Sequence, residues 1–158
     1  MQFWIRNVRQ DELKRLGQIF MRAYQGLERY GERSRGEGIS YLEGLYGDCP
    51  EGFLVADAPE GTVGLIVSDP SWQDRSRGEV LEIHELVVDP AWQGKGVAKA
   101  LMSEAFAFGR ARGREAAALW VGVGNKYARE WYQSLGFQEE GQRREWIRMY
   151  RPLNDVRC

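Results

Sequence analysis

Apolar positions along this chain recur at two spacings, every second residue or every third and fourth, and the change of spacing predicts the elements. Phe3 to Val8 is a short edge-like strand. Asp11 is placed to cap a helix from about Glu12 to Tyr24, with Leu13, Leu16, Ile19, Phe20 and Ala23 along one face. Residues 26–38 (GLERYGERSRGEG) hold too few apolar positions for a packed element and read as a loop. Helical spacing resumes from Ile39 to Tyr46, and residues 49–52 form a turn. Phe53 to Asp57 and Thr62 to Ser68 make an antiparallel pair around Pro59-Glu60-Gly61. Residues 69–78 (DPSWQDRSRG) read as a polar loop. Glu79 to Val88 (EVLEIHELVV) alternates and then runs apolar, which predicts a largely buried strand that Asp89-Pro90 ends. Val97, Leu101, Ala105 and Phe108 then recur at helical spacing, with Gly113 as the stop.

The remaining third repeats the alternation of strand and helix. Ala117 to Val121 is a buried strand, and Asn125 caps a helix that runs to about Leu135 and stops at Gly136. Phe137–Gly141 and Glu145–Leu153 form a closing strand pair. This order predicts one α/β or α+β domain over residues 1–158, built on a mixed sheet.

Composition narrows the function classes without naming one. With 43% hydrophobic and 28% charged residues, the 158-residue chain has the balance of a soluble globular domain. Met1-Gln2-Phe3-Trp4 leads straight into mixed sequence, without the apolar core of a secretory leader, and no apolar run is long enough to span a membrane. Cys49 and Cys158 do not have the spacing of a disulfide framework or a metal cluster, so the expectation is a cytoplasmic protein with no metal. A net charge of −1 argues against nucleic acid as the main partner, despite small basic groups at Arg110–Arg114 and Arg143-Arg144.

The chemistry gathers between the central strand and the helix after it. Gln93, Gly94, Lys95 and Gly96 precede a helix N-terminus, where unpaired backbone N–H groups and the helix dipole attract an anion that glycines allow to come close. A nucleotide P-loop does not fit, because G-x-x-x-x-G-K-[ST] is absent around Lys95. The dinucleotide fingerprint fails because Lys99 stands where its third glycine belongs. The string that does fit is Q-x-x-G-x-A, from Gln93 through Val97 to Ala98.

That string, following LVVDP, resembles the pyrophosphate-binding motif of the GNAT superfamily of N-acetyltransferases. A second stretch, Asn125-x-x-Ala128-x-x-x-Tyr132-x-x-x-Gly136-Phe137, is similar to that superfamily's closing helix and its entry into the next strand. The resemblance covers about Val80 to Phe137. It implies a mostly antiparallel central sheet flanked by helices and splayed around the central strand. It also implies direct acetyl transfer from acetyl-CoA to a primary amine, with no covalent acyl-enzyme.

By that resemblance the main chain of Leu86, Val87 and Val88 bonds the pantetheine arm, and the amides of Gly94 to Ala98 seat the pyrophosphate. Lys95 and Lys99 either add positive charge there or are solvated surface residues. Tyr132 matches the tyrosine that protonates the departing thiolate, a step suited to a phenol. Asn125 either touches the arm or simply caps its helix. Three residues remain open for the acceptor side. Strand alternation puts Glu82 and His84 on one face and Glu85 on the other unless the strand bulges; Glu82, His84 or Glu85, directly or through water, would take the amine's proton, and an acid beside this strand end would also suit a cationic amine.

The acceptor region is the least recognisable part. Tyr24, Glu28, Tyr30, Glu32, Tyr41 and Trp146 offer acids and aromatics suited to a cation. A small amine or amino acid is the favoured acceptor; a protein N-terminus, a lysine or an aminoglycoside is the alternative. From a different class, a CoA-binding sensor without catalysis also fits the motifs. The resemblance further suggests a homodimer, with no nucleic-acid or membrane partner.

Overall fold

The computed structural model describes residues 2–23 and 35–154. Among these described residues, seven strands and four α-helices follow in the order β1 (Trp4–Asn7), α1 (Leu13–Ala23), α2 (Arg35–Asp48), β2 (Phe53–Ala58), β3 (Gly61–Asp74), β4 (Gly78–Val88), α3 (Val97–Ala111), β5 (Ala116–Gly122), α4 (Lys126–Ser134), β6 (Gln138–Arg143) and β7 (Trp146–Pro152). The strands form one sheet in the order β1-β2-β3-β4-β5-β7-β6. β1–β2, β2–β3, β5–β7 and β6–β7 pair antiparallel, whereas β4 and β5 run parallel. The fold is therefore the expected mixed, mostly antiparallel sheet flanked by helices. The parallel ladder is two pairs long, Leu81 with Ala117 and Glu82 with Ala118.

The chain divides into two compact units, Met1–Ser68 with Glu85–Ala105, and Asp69–His84 with Phe106–Cys158. In the first, Leu16 and Phe20 of α1 and Leu42 of α2 pack with Phe53 and Val55 of β2, Leu65 and Val67 of β3, and Val87 of β4. The start of α3 covers the opposite face of β3 at Gly64, where an added Cβ would lie 3.0 Å from Val97 and 3.3 Å from Leu101. A glycine is what lets the helix sit that close. In the second unit, Gly109 of α3 presses on Leu81 and Leu153, and Phe106 packs at 6.1 Å from Phe137.

Three expectations are corrected. β3 runs on to Asp74, so most of the predicted loop over 69–78 is strand; Pro70 is tolerated because the pairing of β3 with β2 ends at Val67. α2 begins at Arg35, so residues 35–38 are helical rather than loop, and the rest of 26–38 lies outside the described residues. α2 contains four glycines, at 36, 38, 44 and 47, and such a sequence is a poor helix on its own. Packing of Leu42, Leu45 and Tyr41 against α1 holds it in place. Finally, Asp11 is not a cap. A one-turn 3₁₀ helix at Gln10–Glu12 precedes α1, and it is Glu12 that accepts the Arg9 N–H at 2.9 Å.

Candidate active site

The strand end and glycine turn expected to hold the donor lie in the first unit. β4 ends at Val88, and Asp89 N–H donates to Val63 O at 2.8 Å. The Asp89 carboxylate accepts the Ala91 N–H, capping a short 3₁₀ turn, and takes a bond from Arg22 at the end of α1. Trp92 is buried, whereas Gln93, Gly94, Lys95 and Gly96 are exposed. Gly94 and Gly96 have φ of +77° and +88°, in the left-handed region that a side chain disfavours. An added Cβ at either would meet nothing within 4 Å, so the requirement for glycine comes from backbone conformation rather than from crowding. Gly96 O then accepts the Ala100 N–H at 3.1 Å as α3 begins. The N–H groups from Val97 to Lys99 precede the helix's own carbonyls, and the dipole of a 15-residue helix adds partial positive charge beside them. Lys95 and Lys99 are both exposed next to this turn.

Tyr132 is held by a chain of contacts within the second unit. Asn125 accepts the Ala128 N–H at 3.3 Å, which gives its side chain the capping role. Arg129 donates twice to Glu139 of β6, at 2.8 and 3.0 Å, and once to Val123 O. Gly136 ends the helix with φ +98°, and the Tyr132 carbonyl accepts from Phe137 N–H at 3.1 Å. The Tyr132 ring lies edge-on to Trp131 at 5.4 Å and to Phe137 at 5.7 Å. No residue of α4 is fully buried, so the side that carries Ala128, Trp131, Tyr132 and Leu135 keeps some accessible surface.

The acceptor-side candidates sit in different surroundings. Glu82 is buried at 3% exposure and receives both Arg148 Nη1 at 2.7 Å and Nη2 at 2.8 Å. Arg148 also bonds Asp74 at 2.7 Å, and Asp74 accepts from the Tyr150 hydroxyl at 2.9 Å. Burial pushes the Glu82 carboxyl above the usual carboxylate range against the pull of Arg148. Burial works the same way on Asp74, but bonds from Arg148, Ser76 and Tyr150 outweigh it and hold that carboxyl well below its usual range. Arg148 loses solvation yet stays firmly charged through Glu82 and Asp74.

His84 is half-buried on β4, with Nε2 3.8 Å from Asp69 Oδ2 and its ring edge-on to Trp72 at 5.0 Å. Glu85 is also half-buried and belongs to the first unit. Of the aromatic and acidic acceptor candidates, Tyr24, Glu28, Tyr30 and Glu32 lie outside the described residues; Tyr41 packs on Phe20, and Trp146 is half-buried on β7. Sequence reasoning missed Asp69, Trp72, Asp74 and Arg148. Gly78, with φ +71° just after Asp-Arg-Ser-Arg, was the hairpin turn mark that would have extended the strands across residues 69–74.

Comparison with known proteins extends the picture. A model of the acetyltransferase (GNAT) family matches residues 13–137. An uncharacterized N-acetyltransferase of Methanocaldococcus jannaschii is 35% identical over 152 residues, covering 96% of this chain and 67% of that protein. A crystal structure of a Pyrococcus horikoshii protein superposes with a TM-score of 0.87 at 31% identity, over 98% of this chain and 100% of the other. The PaiA N-acetyltransferase of Thermoplasma acidophilum, solved in complex with coenzyme A, shares the fold with a TM-score of 0.80 at 20% identity, over 96% and 99% of the two chains.

Proposed function

The chain belongs to the GNAT family of acetyltransferases, and from that premise we propose that it moves an acetyl group from acetyl-CoA directly to a primary amine, a small amine or amino acid. The observation that carries this reading is the pair of left-handed glycines, Gly94 and Gly96, opening straight onto the N-terminus of α3. The N–H groups left unpaired at a helix start fit a pyrophosphate, and the Thermoplasma PaiA N-acetyltransferase that shares the fold was solved with coenzyme A. In this reading Gln93 and the amides from Gly94 to Ala98 seat the pyrophosphate, with Lys95 and Lys99 as flanking cations. Leu86, Val87 and Val88 offer main-chain groups to the pantetheine arm, a role that the short β4–β5 ladder supports. Residues 1–158 act as one N-acetyltransferase domain, since the family match draws on residues of both units.

Acetyl-CoA supplies an activated thioester, and the chain's residues orient it and handle the protons. The neutral amine attacks the thioester carbon; the N–C bond forms, the C–S bond breaks, and the nitrogen sheds a proton. We assign that proton to His84. Glu82 is the weaker candidate because its two oxygens already take bonds from Arg148, and protonating it would leave a buried guanidinium short of a partner. Glu85 is assigned to holding the cationic amine before it is deprotonated. The bound ammonium first releases one proton to solvent; the second, shed by the attacking nitrogen, passes to His84, and Tyr132 gives its hydroxyl proton to the thiolate, so that second loss is matched by the proton that sulfur gains. Trp72, 42% exposed beside His84, offers a π face that suits a compact ammonium group.

The test is a thiol-release assay with acetyl-CoA and a panel of free amino acids, alkyl mono- and diamines, and short peptides with free N-termini or lysines. The reading expects the highest kcat/KM for a small amine or amino acid. Turnover confined to peptides would move the acceptor class to protein, and release that ignores every amine would sink the transferase reading.

A further inference from the structure

The extension of β3 through residues 69–74 brings the Asp69 carboxylate beside His84, a pairing that no local pattern marks. We propose that Asp69 is a positioning residue for His84: it stabilises the charge that the ring gains on taking the amine's proton. This inference rests on the reading of His84 as the acceptor-side base.

Three observations within the second unit support it. Asp69 Oδ1 accepts the Ser71 N–H at 2.9 Å, so the backbone sets the orientation of the carboxylate independently of the imidazole. Asp69 Oδ2 then lies 3.8 Å from His84 Nε2, and both side chains are only 16% exposed, which limits screening by solvent. On the imidazole's flank the Trp72 ring stands at 85° to it with centroids 5.0 Å apart, which limits rotation. The other carboxylate on that face of β4, Glu82, is engaged with Arg148.

The length of the contact is informative. At 3.8 Å it is beyond a hydrogen bond but within reach of strong charge–charge attraction. The carboxylate therefore gains little from a neutral imidazole and much more from an imidazolium. In the proposed step the amine forms its bond to the acetyl carbon and passes its proton to a ring nitrogen of His84; the thiolate departs and takes a proton from Tyr132. An interaction that strengthens only as charge develops raises turnover without tightening ground-state binding. It follows the logic by which a buried carboxylate serves a catalytic histidine elsewhere.

The experiment compares Asp69→Asn, Asp69→Glu, His84→Gln and the Asp69→Asn/His84→Gln double variant, with acetyl-CoA and the amine of highest turnover in the panel above. Asparagine keeps an oxygen for the Ser71 N–H, so the strand is preserved. The expected result for Asp69→Asn is a fall in kcat of about tenfold to a hundredfold with the acetyl-CoA KM within about twofold. Asp69→Glu should recover part of the loss, and adding Asp69→Asn to His84→Gln should change kcat by less than about twofold. The inference is overturned if Asp69→Asn keeps full kcat while His84→Gln loses it, or if Asp69→Asn costs the same in both backgrounds. Full activity of His84→Gln would instead overturn the base assignment, and the role of Asp69 with it.

Discussion

Tyr132 and Glu12 show how far a single residue's role is set by its neighbours. Tyr132 stands out by its spacing to Asn125 and Gly136, and the bonds that hold its helix are local in sequence. Tyr132→Phe removes one oxygen from a ring whose packing on Trp131 and Phe137 would persist. Turnover should fall by roughly 10- to 100-fold with the acetyl-CoA Kd unchanged by calorimetry; undiminished turnover at neutral pH would remove it as the acid. Glu12, in contrast, gave no hint of burial. It is 4% exposed, takes bonds from Arg6 at 2.8 and 2.9 Å and from Arg15 at 3.1 Å, and stands among partners that composition does not reveal. Burial alone would raise its carboxyl, but Arg6 and the Arg9 N–H prevail and bring it down to about 2. Because the folded value lies below the unfolded one of 4.5, its stabilisation is complete above about pH 4.5 and is lost as pH falls towards 2. Glu12→Gln should cost about 2–3 kcal/mol at pH 7 in urea denaturation, with the gap to wild type closing over that acid window. A gap that persists unchanged at the acid end would show that charge is not its source.

Elements were legible where their own periodicity decided them. β4, α3, β5 and α4 depend on apolar spacing and on local stops such as Gly113 and Gly136, and their observed bounds fall within a few residues of expectation. β3 and α2 were mistaken because tertiary packing overrode local preference. Polar residues at 69–74 belong to a strand, and glycine-rich residues at 35–38 belong to a helix that leans on α1. That dependence leaves α2 improvable. Gly44 and Gly47 are exposed with nothing within 4 Å of an added Cβ, so Gly44→Ala and Gly47→Ala should each raise stability by about 0.5–1 kcal/mol. Denaturation midpoints check this, and lower midpoints would mean that these positions carry a constraint beyond helix formation. At the α3 turn the sign is opposite. Gly96→Ala strains a φ of +88° at a cost of about 1 kcal/mol and should weaken acetyl-CoA binding in calorimetry, with unchanged affinity arguing against this turn as the phosphate seat.

At the scale of the molecule, long-range pairings carried the information that spacing could not. Arg148 meets Glu82 and Asp74 across 66 and 74 residues, and no local pattern distinguishes a buried ion network from an exposed arginine on an alternating strand. Arg148→Met would strand two buried carboxylates and should cost about 3 kcal/mol or more, lowering the melting midpoint by roughly 6–12 °C. A midpoint within a degree of wild type would show the network to be dispensable. No helix among the described residues is long and apolar enough to cross a membrane. The left-handed glycine turn before α3 was readable because such a backbone needs particular residues at particular spacings. The Glu82–Arg148–Asp74 network was not, because side chains from separate strands make it.

The central claim, acetyl transfer from a thioester to an amine nitrogen, is tested most directly with acetyl-CoA labelled with ¹³C at the carbonyl. The protein is mixed with the labelled donor and the amine panel, and the fate of the label is followed by NMR and mass spectrometry. The account predicts that the label appears as an amide on an acceptor amine, in step with free CoA and with no labelled protein. Tight CoA binding with no amide on any acceptor, or label held on the protein itself, would contradict it.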